Sequence, residues 1–264
     1  MDELLKGKRV LVVGAGTRVS PDLEAPPGNG RAISVACGRS GAAVACLDRD
    51  DASADATRQL VEDEGARACS IVADVADPLA CEEAVNATVL ELGGLDSLVL
   101  NVGVAEGAGL SRTSAEEWDR TFAVNVRAHF LLCKAAMPLL REAASSIGQS
   151  SIVFISSVAA LKPGSRIPAY DASKAALAGL CRHVAAEGAR HGVRANVIAP
   201  GLIDTPLGRL ASQGRPSRDT TPVPLGRMGT PWEVADATVW LLSSRASYVT
   251  GQVLAVDGGL STLL

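Results

Sequence analysis

The chain has 264 residues, of which 47% are hydrophobic and 20% charged, and this composition excludes a disordered or fibrous protein. No apolar run reaches the ~18 residues that a membrane-spanning helix needs, and the acidic N-terminus is unlike a signal peptide. The formal net charge is −4 with no basic stripe, which argues against nucleic-acid binding.

The cysteines and histidines also argue against disulfide and metal chemistry. The six cysteines form no CxxC pair and have apolar or small neighbours, so we expect reduced core thiols and a cytoplasmic protein. The three histidines, His129, His183 and His191, lack the spacing of metal ligands, so we expect no metal.

Short apolar runs alternate along the chain with helical patterns. In chain order, the runs predict strands over 9–13, 42–47, 68–73, 95–100, 152–155, 193–198 and 252–256, each apolar on both faces. Between them we predict helices over 53–64, 78–92, a long helix from Ser114 through Met137, 169–191 and 232–243. Ser114 opens a capping box, and Thr230-Pro231 reads as a cap followed by a first-turn proline.

This alternation predicts an α/β protein with a doubly wound, Rossmann-like parallel sheet of about seven strands and helices on both faces. No linker or repeat divides the chain, so we expect one domain over 1–264. A polar, small or acidic residue follows each strand, as at Gly14, Asp48, Asp74, Asn101, Ser157 and Pro200-Gly201. Because ligands bind beyond the carboxyl ends of such strands, we expect these residues to converge on one site.

The first strand is followed by glycines that suit a dinucleotide site. Gly14, Gly16 and Thr17 precede ten residues, 18–27, and then come Gly28, Asn29 and Gly30. The segment reads as GxxxGxG with ten residues inserted, a loop that lets the backbone approach a pyrophosphate. The alternative is a flexible turn. The insertion either partly covers the pyrophosphate or adenosine, or is a solvent loop.

Asp48 ends the second strand, 18 residues after Gly30, where an acid can hold both ribose hydroxyls of an adenosine. A 2′-phosphate would be repelled there, so we predict NAD as the cofactor. NADP stays open as the less favoured alternative, because Arg49 follows Asp48 and because Arg18 and Arg31 lie near the loop.

The strongest chemical signal is Tyr170 followed by Lys174, since the chain has only two tyrosines and a spacing of four puts both side chains on one helix face. A phenol titrates near 10, and a neighbouring cation stabilises the phenolate, so Tyr170 is predicted to exchange a proton with a hydroxyl or carbonyl oxygen. Ser157, which ends the fifth strand, can bond the same oxygen; the alternative is a strand-end cap.

These residues resemble the short-chain dehydrogenase/reductase family, in its compact single-domain branch, from Arg9 to Gly259. The matching pieces are the interrupted glycine motif, Asp74-Val75, Asn101-Val102-Gly103, Asn125, Ser157, Tyr170 with Lys174, 196–201, Thr205 and 257–259. The resemblance implies an oxidoreductase that moves a hydride between NAD(H) and a secondary alcohol or ketone.

In that resemblance Tyr170 is the general acid/base, Lys174 lowers its pKa and binds the nicotinamide ribose, Ser157 orients the substrate oxygen, and Asn125 holds a water. Asp74 and Val75 flank the adenine, and Asn101 and Gly103 lie along the cofactor. The segment from Pro200 to Thr205, which includes Gly201, holds the carboxamide through the backbone of Ile203 and the hydroxyl of Thr205. The departures are Val13, the run Leu100-Asn101-Val102-Gly103 in place of the usual Asn-Asn-Ala-Gly, and the ten-residue insertion.

The segment of about 204–227 is expected to be the substrate lid, and its arginines at 209, 215, 218 and 227 either meet an anionic substrate or are solvated. The resemblance also implies a homotetramer. Two other functions are weighed: a silent NAD-binding sensor or scaffold, and a nucleotide-sugar dehydratase or epimerase, for which the chain is too short.

Overall fold

The computed structural model describes residues 3–18, 20, 22, 25–162, 164–212 and 222–263, with the backbone alone at 211 and 212. Its seven strands are β1 (Arg9–Val13), β2 (Ala43–Asp48), β3 (Ala68–Val72), β4 (Ser97–Leu100), β5 (Ser150–Ile155), β6 (Val193–Pro200) and β7 (Val253–Val256). All neighbours pair in parallel, in the order β3-β2-β1-β4-β5-β6-β7. The predicted doubly wound parallel sheet is therefore confirmed.

The helices of the described residues lie between the strands. They are α1 (Asn29–Arg39), α2 (Asp51–Asp63), α3 (Pro78–Leu92), α4 (Ala115–Phe122), α5 (Ala128–Ile147), α6 (Pro168–Ala189), α7 (Pro206–Ser212) and α8 (Pro231–Leu242). A π-turn, Ala123–Arg127, joins α4 to α5. A capping box begins α4 at Ser114, as the sequence predicts. Thr230 caps α8 as predicted, and with Glu233 it also forms a capping box.

The two faces of the sheet carry separate cores, because alternate residues of each strand point to opposite sides. Along β1, Leu11 and Val13 pack with α3, α5 and α6, whereas Val10 and Val12 pack with α1 and α8. Residues of β4 and β5 alternate in the same way. Because the central strands pair in parallel, their carboxyl ends lie along the same edge of the sheet.

The prediction that every strand is buried on both faces is wrong at the edges of the sheet. In β7, Val253 and Leu254 are each 37% exposed, and in β3, Val72 is 55% exposed. An edge strand has a neighbour on one side only, and less of its surface is covered by helices. Two helices, α1 and α7, were not predicted, since glycine and proline begin the segments that form them.

All six cysteines are free and buried, and burial raises the pKa of each thiol. This agrees with the expectation of core thiols. Among the described residues, none of the helices combines the length and the apolar character needed to cross a bilayer.

Candidate active site

The glycine segment lies where the strand order reverses, between β1 and β4. Gly14 has φ +76°, and a Cβ there would lie 2.8 Å from the backbone of Val102. A Cβ at Gly30 would overlap the carbonyl oxygen of Gly14 and lie 2.6 Å from Nδ2 of Asn101. That Nδ2 donates to the Gly14 carbonyl at 2.7 Å. The backbone is thus packed so closely that only glycine fits.

Helix α1 begins directly above this cradle, at Asn29, with Gly28 as its N-cap. Gly28 has no side chain to cap the first amides, and the first turn carries no acidic residue. Uncapped amides at a helix N-terminus suit a phosphate. The cradle and the uncapped amides fit the pyrophosphate of a dinucleotide.

The inserted segment leaves this cradle undisturbed, because its two ends meet. The Gly28 amide donates to Oγ1 of Thr17 at 3.0 Å, which closes the loop at its base. The Thr17 amide in turn donates to Oγ of Ser53 at 2.8 Å. The glycine motif therefore keeps its geometry across ten extra residues. Residues 19, 21, 23 and 24 of the insertion lie outside the described residues.

Asp48 stands at the carboxyl end of β2, as predicted, and faces the glycine loop. Its Oδ2 accepts the Gly16 amide at 2.9 Å, and its Oδ1 accepts the Asp50 amide at 3.2 Å. These bonds orient the carboxylate and leave lone pairs for a diol. Nearby, Arg31 Nε donates to Oγ1 of Thr57 at 2.9 Å, so this guanidinium is held against α2.

The other residues predicted to contact the adenine or to lie along the cofactor also follow strand ends. Asp74 follows β3, is exposed, and accepts the Ala76 amide at 2.9 Å, whereas Val75 is 4% exposed. Asn101 follows β4 and its amide donates to the Val13 carbonyl. A Cβ at Gly103 would lie 3.0 Å from Nζ of Lys174, so the backbone passes close to this ammonium.

Asn125 lies in the π-turn, not in a regular helix as the sequence pattern suggests. Its Oδ1 accepts the Val104 amide at 2.8 Å, and its Nδ2 donates to the Val104 carbonyl at 2.9 Å. The same Nδ2 donates to Oγ of Ser173 at 2.9 Å, and that hydroxyl donates to the Tyr170 carbonyl at 2.8 Å. Asn125 thereby ties the loop after β4 to the helix that carries Tyr170.

Tyr170 and Lys174 both lie on α6, one turn apart, and Lys174 Nζ is 5.8 Å from the centroid of the tyrosine ring. Lys174 is 4% exposed, and its Nζ donates to the Ile155 carbonyl at 2.9 Å. Burial lowers the pKa of Lys174 to about 8. At neutral pH this lysine is therefore a buried cation next to a phenol.

Ser157 follows β5 and caps the short 3₁₀ turn Val158–Ala160, where its Oγ accepts the Ala159 amide at 3.1 Å. The expected alternative, a strand-end cap, is thus present, and the hydroxyl proton remains available for donation. The neighbouring Ser156 Oγ donates to the Lys174 carbonyl at 2.8 Å, which fixes α6 to the end of β5.

The segment after β6 packs against the C-terminal turn, since a Cβ at Gly201 would lie 2.7 Å from the Asp257 backbone. Ile203 pairs in a parallel bridge with Gly229. Thr205 is 7% exposed, and its Oγ1 accepts the Gly208 amide at 2.9 Å. Of the expected lid, 204–227, residues 213–221, with the arginines at 215 and 218, lie outside the described residues.

The two described lid arginines already have acidic partners. Arg209 makes a two-point contact with Asp204, at 2.6 and 2.9 Å, and also pairs with Asp22 of the insertion. Arg227 pairs with Glu233 at 2.6 Å. Arg209 therefore joins the insertion to the lid helix α7, and neither arginine offers an unpaired charge to an anionic substrate.

Several residues of the site gave no signal in the sequence. Ser53 and Thr57 lie on α2 and meet the glycine loop, and Ser53 follows its cap Asp50 by three residues. The contact of Arg209 with Asp22 spans 187 residues, and no local pattern predicts such a pair. For His129, whose Nδ1 lies 3.3 Å from the Val124 carbonyl of the π-turn, the sequence indicated only that metal-ligand spacing is lacking.

A doubly wound sheet with a glycine cradle at its switch point defines a dinucleotide-binding protein. The profile of the family described as "Enoyl-(Acyl carrier protein) reductase" matches residues 26–261. The chain is 39% identical over 231 residues to "Inactive 2-(S)-hydroxypropyl-CoM dehydrogenase 2" of Xanthobacter autotrophicus, covering 85% of this chain and 97% of the relative. It is 35% identical over 269 residues to "2-(S)-hydroxypropyl-CoM dehydrogenase 3" of the same organism, covering 100% of both.

Among solved structures, a putative short-chain dehydrogenase/reductase from Burkholderia xenovorans superposes with a TM-score of 0.87 at 35% identity, covering 99% of this chain and 98% of that chain. The protein belongs to the short-chain dehydrogenase/reductase family, which is a family of oxidoreductases that bind NAD or NADP. Structures of related proteins contain NADP in two cases and NADH in another.

Proposed function

We propose that the protein is an NAD-dependent short-chain alcohol dehydrogenase/carbonyl reductase, acting on a secondary alcohol or ketone. The observation that carries this proposal is the juxtaposition of Tyr170 with the buried ammonium of Lys174, 5.8 Å from the ring centroid. Asn125 and Ser156 brace the helix that holds both side chains. A buried cation next to a phenol is the arrangement that proton transfer from an alcohol requires.

In the oxidation direction, Tyr170 accepts the proton of the substrate hydroxyl as the C–H bond of the carbinol carbon breaks. The positive charge of Lys174 stabilises the phenolate that must exist beforehand. Ser157 donates its hydroxyl proton to the substrate oxygen and so orients it. A bound nicotinamide would accept the hydride, and in reduction would supply it. Asn125 keeps the loop after β4 against α6.

The preference for NAD rests on the charges at the end of β2. Asp48 is oriented by the Gly16 and Asp50 amides, so its carboxylate meets an adenosine diol and repels a 2′-phosphate. The bond of Arg31 to Thr57 holds that guanidinium against α2, where its charge also interacts with Asp48. The exposed Arg49 and Arg18 keep NADP as the alternative.

The test is turnover with purified protein and a panel of secondary alcohols and ketones, followed by absorbance of the reduced nicotinamide. We expect catalytic efficiency with NADH to exceed that with NADPH, and a ratio below one would contradict the cofactor assignment. Tyr170→Phe is expected to abolish turnover while cofactor binding, measured by nucleotide fluorescence, persists. Hydride transfer that survives Tyr170→Phe would contradict the mechanism.

A silent NAD-binding sensor or scaffold is the second candidate, because one relative carries the name of an inactive dehydrogenase. The presence in this chain of Ser157, Tyr170, Lys174 and Asn125 favours the enzyme. Tight nucleotide binding without turnover across the panel would favour the silent protein.

The assembly and location are proposals too. A homotetramer is supported by exposed apolar side chains on α4 and α5, such as Trp118 at 38% and Phe130 at 49% exposure. Light scattering tests it, and a monomeric mass would contradict it. Six free cysteines support a reducing compartment such as the cytoplasm.

A further inference from the structure

His129 lies in the first turn of α5, four residues after Asn125, and is fully buried. The mechanism proposed above gives this side chain no role. Burial and the positive charge of Lys174 lower the pKa of His129 to about 3. The ring is therefore neutral at physiological pH and carries a single N–H proton.

The ring lies against the junction between the π-turn and α5. In the π-turn the amide of Ala128 donates to the carbonyl of Ala123, five residues back. Within the same turn, the carbonyl oxygen of Val124 lies 3.3 Å from Nδ1 of His129. The Leu100 carbonyl is a second acceptor near the ring. Because a carbonyl can only accept, the hydrogen bond to Val124 forms in the tautomer that carries its proton on Nδ1.

The other side of the ring stacks on Phe154, with centroids 6.2 Å apart and planes 15° from parallel. Phe154 precedes Ile155, whose carbonyl accepts the ammonium of Lys174. One imidazole thus contacts the turn that holds Asn125 and the strand end that holds Lys174.

We infer that His129 is a positioning residue, which stabilises the π-turn through the Nδ1–H bond to Val124 and thereby keeps Asn125 on Val104 and Ser173. An α-helical turn at this point would rotate Asn125 away from both partners, because each residue turns by ~100°. The inference rests on the proposed function for its effect on turnover, but its geometry stands independently.

Two variants separate the hydrogen bond from the packing. His129→Phe keeps a ring against Phe154 and removes the donor, whereas His129→Asn keeps a donor near the position of Nδ1 and removes the ring. We expect His129→Phe to lower kcat about tenfold, the effect of one lost hydrogen bond of ~1.4 kcal/mol. The dissociation constant of NADH for His129→Phe should stay within about twofold of the value for the unmodified protein. His129→Asn should retain most of the kcat of the unmodified protein. Unchanged kcat in His129→Phe, or equal losses in both variants, would overturn the inference.

A measurement on the unmodified protein guards against variants that fail to fold. Long-range ¹⁵N–¹H spectra report which ring nitrogen carries the proton. We expect a protonated Nδ1 on His129 with no titration between pH 5 and 8. A protonated Nε2, or titration in this range, refutes the assignment. If the unmodified protein oxidises no alcohol, the proposed function fails, and these spectra still decide the role of His129.

Discussion

Replacing Lys174 by Met removes a buried cation and keeps most of the side-chain volume. The ammonium lies 5.8 Å from the centroid of the Tyr170 ring. At an effective dielectric constant of ~20, the ammonium and a phenolate charge centred on the ring attract each other by about 3 kcal/mol at that distance. Loss of that energy would raise the pKa of the Tyr170 phenol by about two units. We therefore expect kcat/KM for alcohol oxidation at pH 7 to fall about 100-fold.

The pH dependence gives the sharper test. The pKa of Lys174 is lowered by burial to about 8, so the unmodified enzyme loses this positive charge as the pH rises through 8. The ratio of rates between the unmodified enzyme and Lys174→Met is thus largest below pH 8 and shrinks above it. Initial rates between pH 5 and 10, at saturating cofactor, measure the ratio.

A matched control removes a lysine charge elsewhere. Lys134 is exposed on α5, and Lys134→Met is expected to leave the profile unchanged. The thermal unfolding of both variants is measured as well, because Lys174→Met also leaves the Ile155 carbonyl without its donor and so lowers stability. A ratio that is the same at pH 7 and pH 9 would refute the electrostatic reasoning.

Three further results are expected. Gly30→Ala, whose Cβ overlaps the Gly14 carbonyl, should lower the free energy of unfolding by more than ~2 kcal/mol in urea titrations, whereas Gly179→Ala, a helical position with open space, should raise it by ~0.5–1 kcal/mol. Arg209→Gln breaks the ion pair that joins the insertion to the lid helix, so it should raise the KM for cofactor about two- to fivefold at low salt and not at 1 M salt. The double variant Arg209→Gln with Asp22→Asn should have the same KM as Arg209→Gln alone, because both changes remove the same ion pair. Because the pKa of His129 is lowered to about 3 in the folded state, the unfolded chain binds the extra proton between pH 3 and ~6.5, so stability decreases as the pH is lowered from ~6.5 to 3; denaturation of His129→Phe should lack this component.

The sheet could be predicted from the sequence because its central strands are continuous apolar runs. The run 193–198 became β6, which extends to Pro200, and 9–13 matched β1 without change. Runs of this kind occur where both faces are buried. The exposure of Val253 could not be read in the same way, since its position at the edge depends on the order of strands.

The candidate site was predictable where it depends on local spacing. Tyr170 and Lys174 share a face because four residues make about one helical turn, and the interrupted glycines indicated a loop whose backbone is closely approached. The π-turn at Asn125 was not predictable, because the sequence around it reads as a continuous helix. Contacts between distant segments, such as Arg209 with Asp22, depend on the fold as a whole.

The burial of all six thiols has a practical consequence. Their raised pKa values and lack of solvent contact make them poor targets for maleimide reagents. A single substitution such as Lys134→Cys would therefore give a uniquely reactive surface handle. A fluorophore attached there would report on subunit exchange without removing any native cysteine.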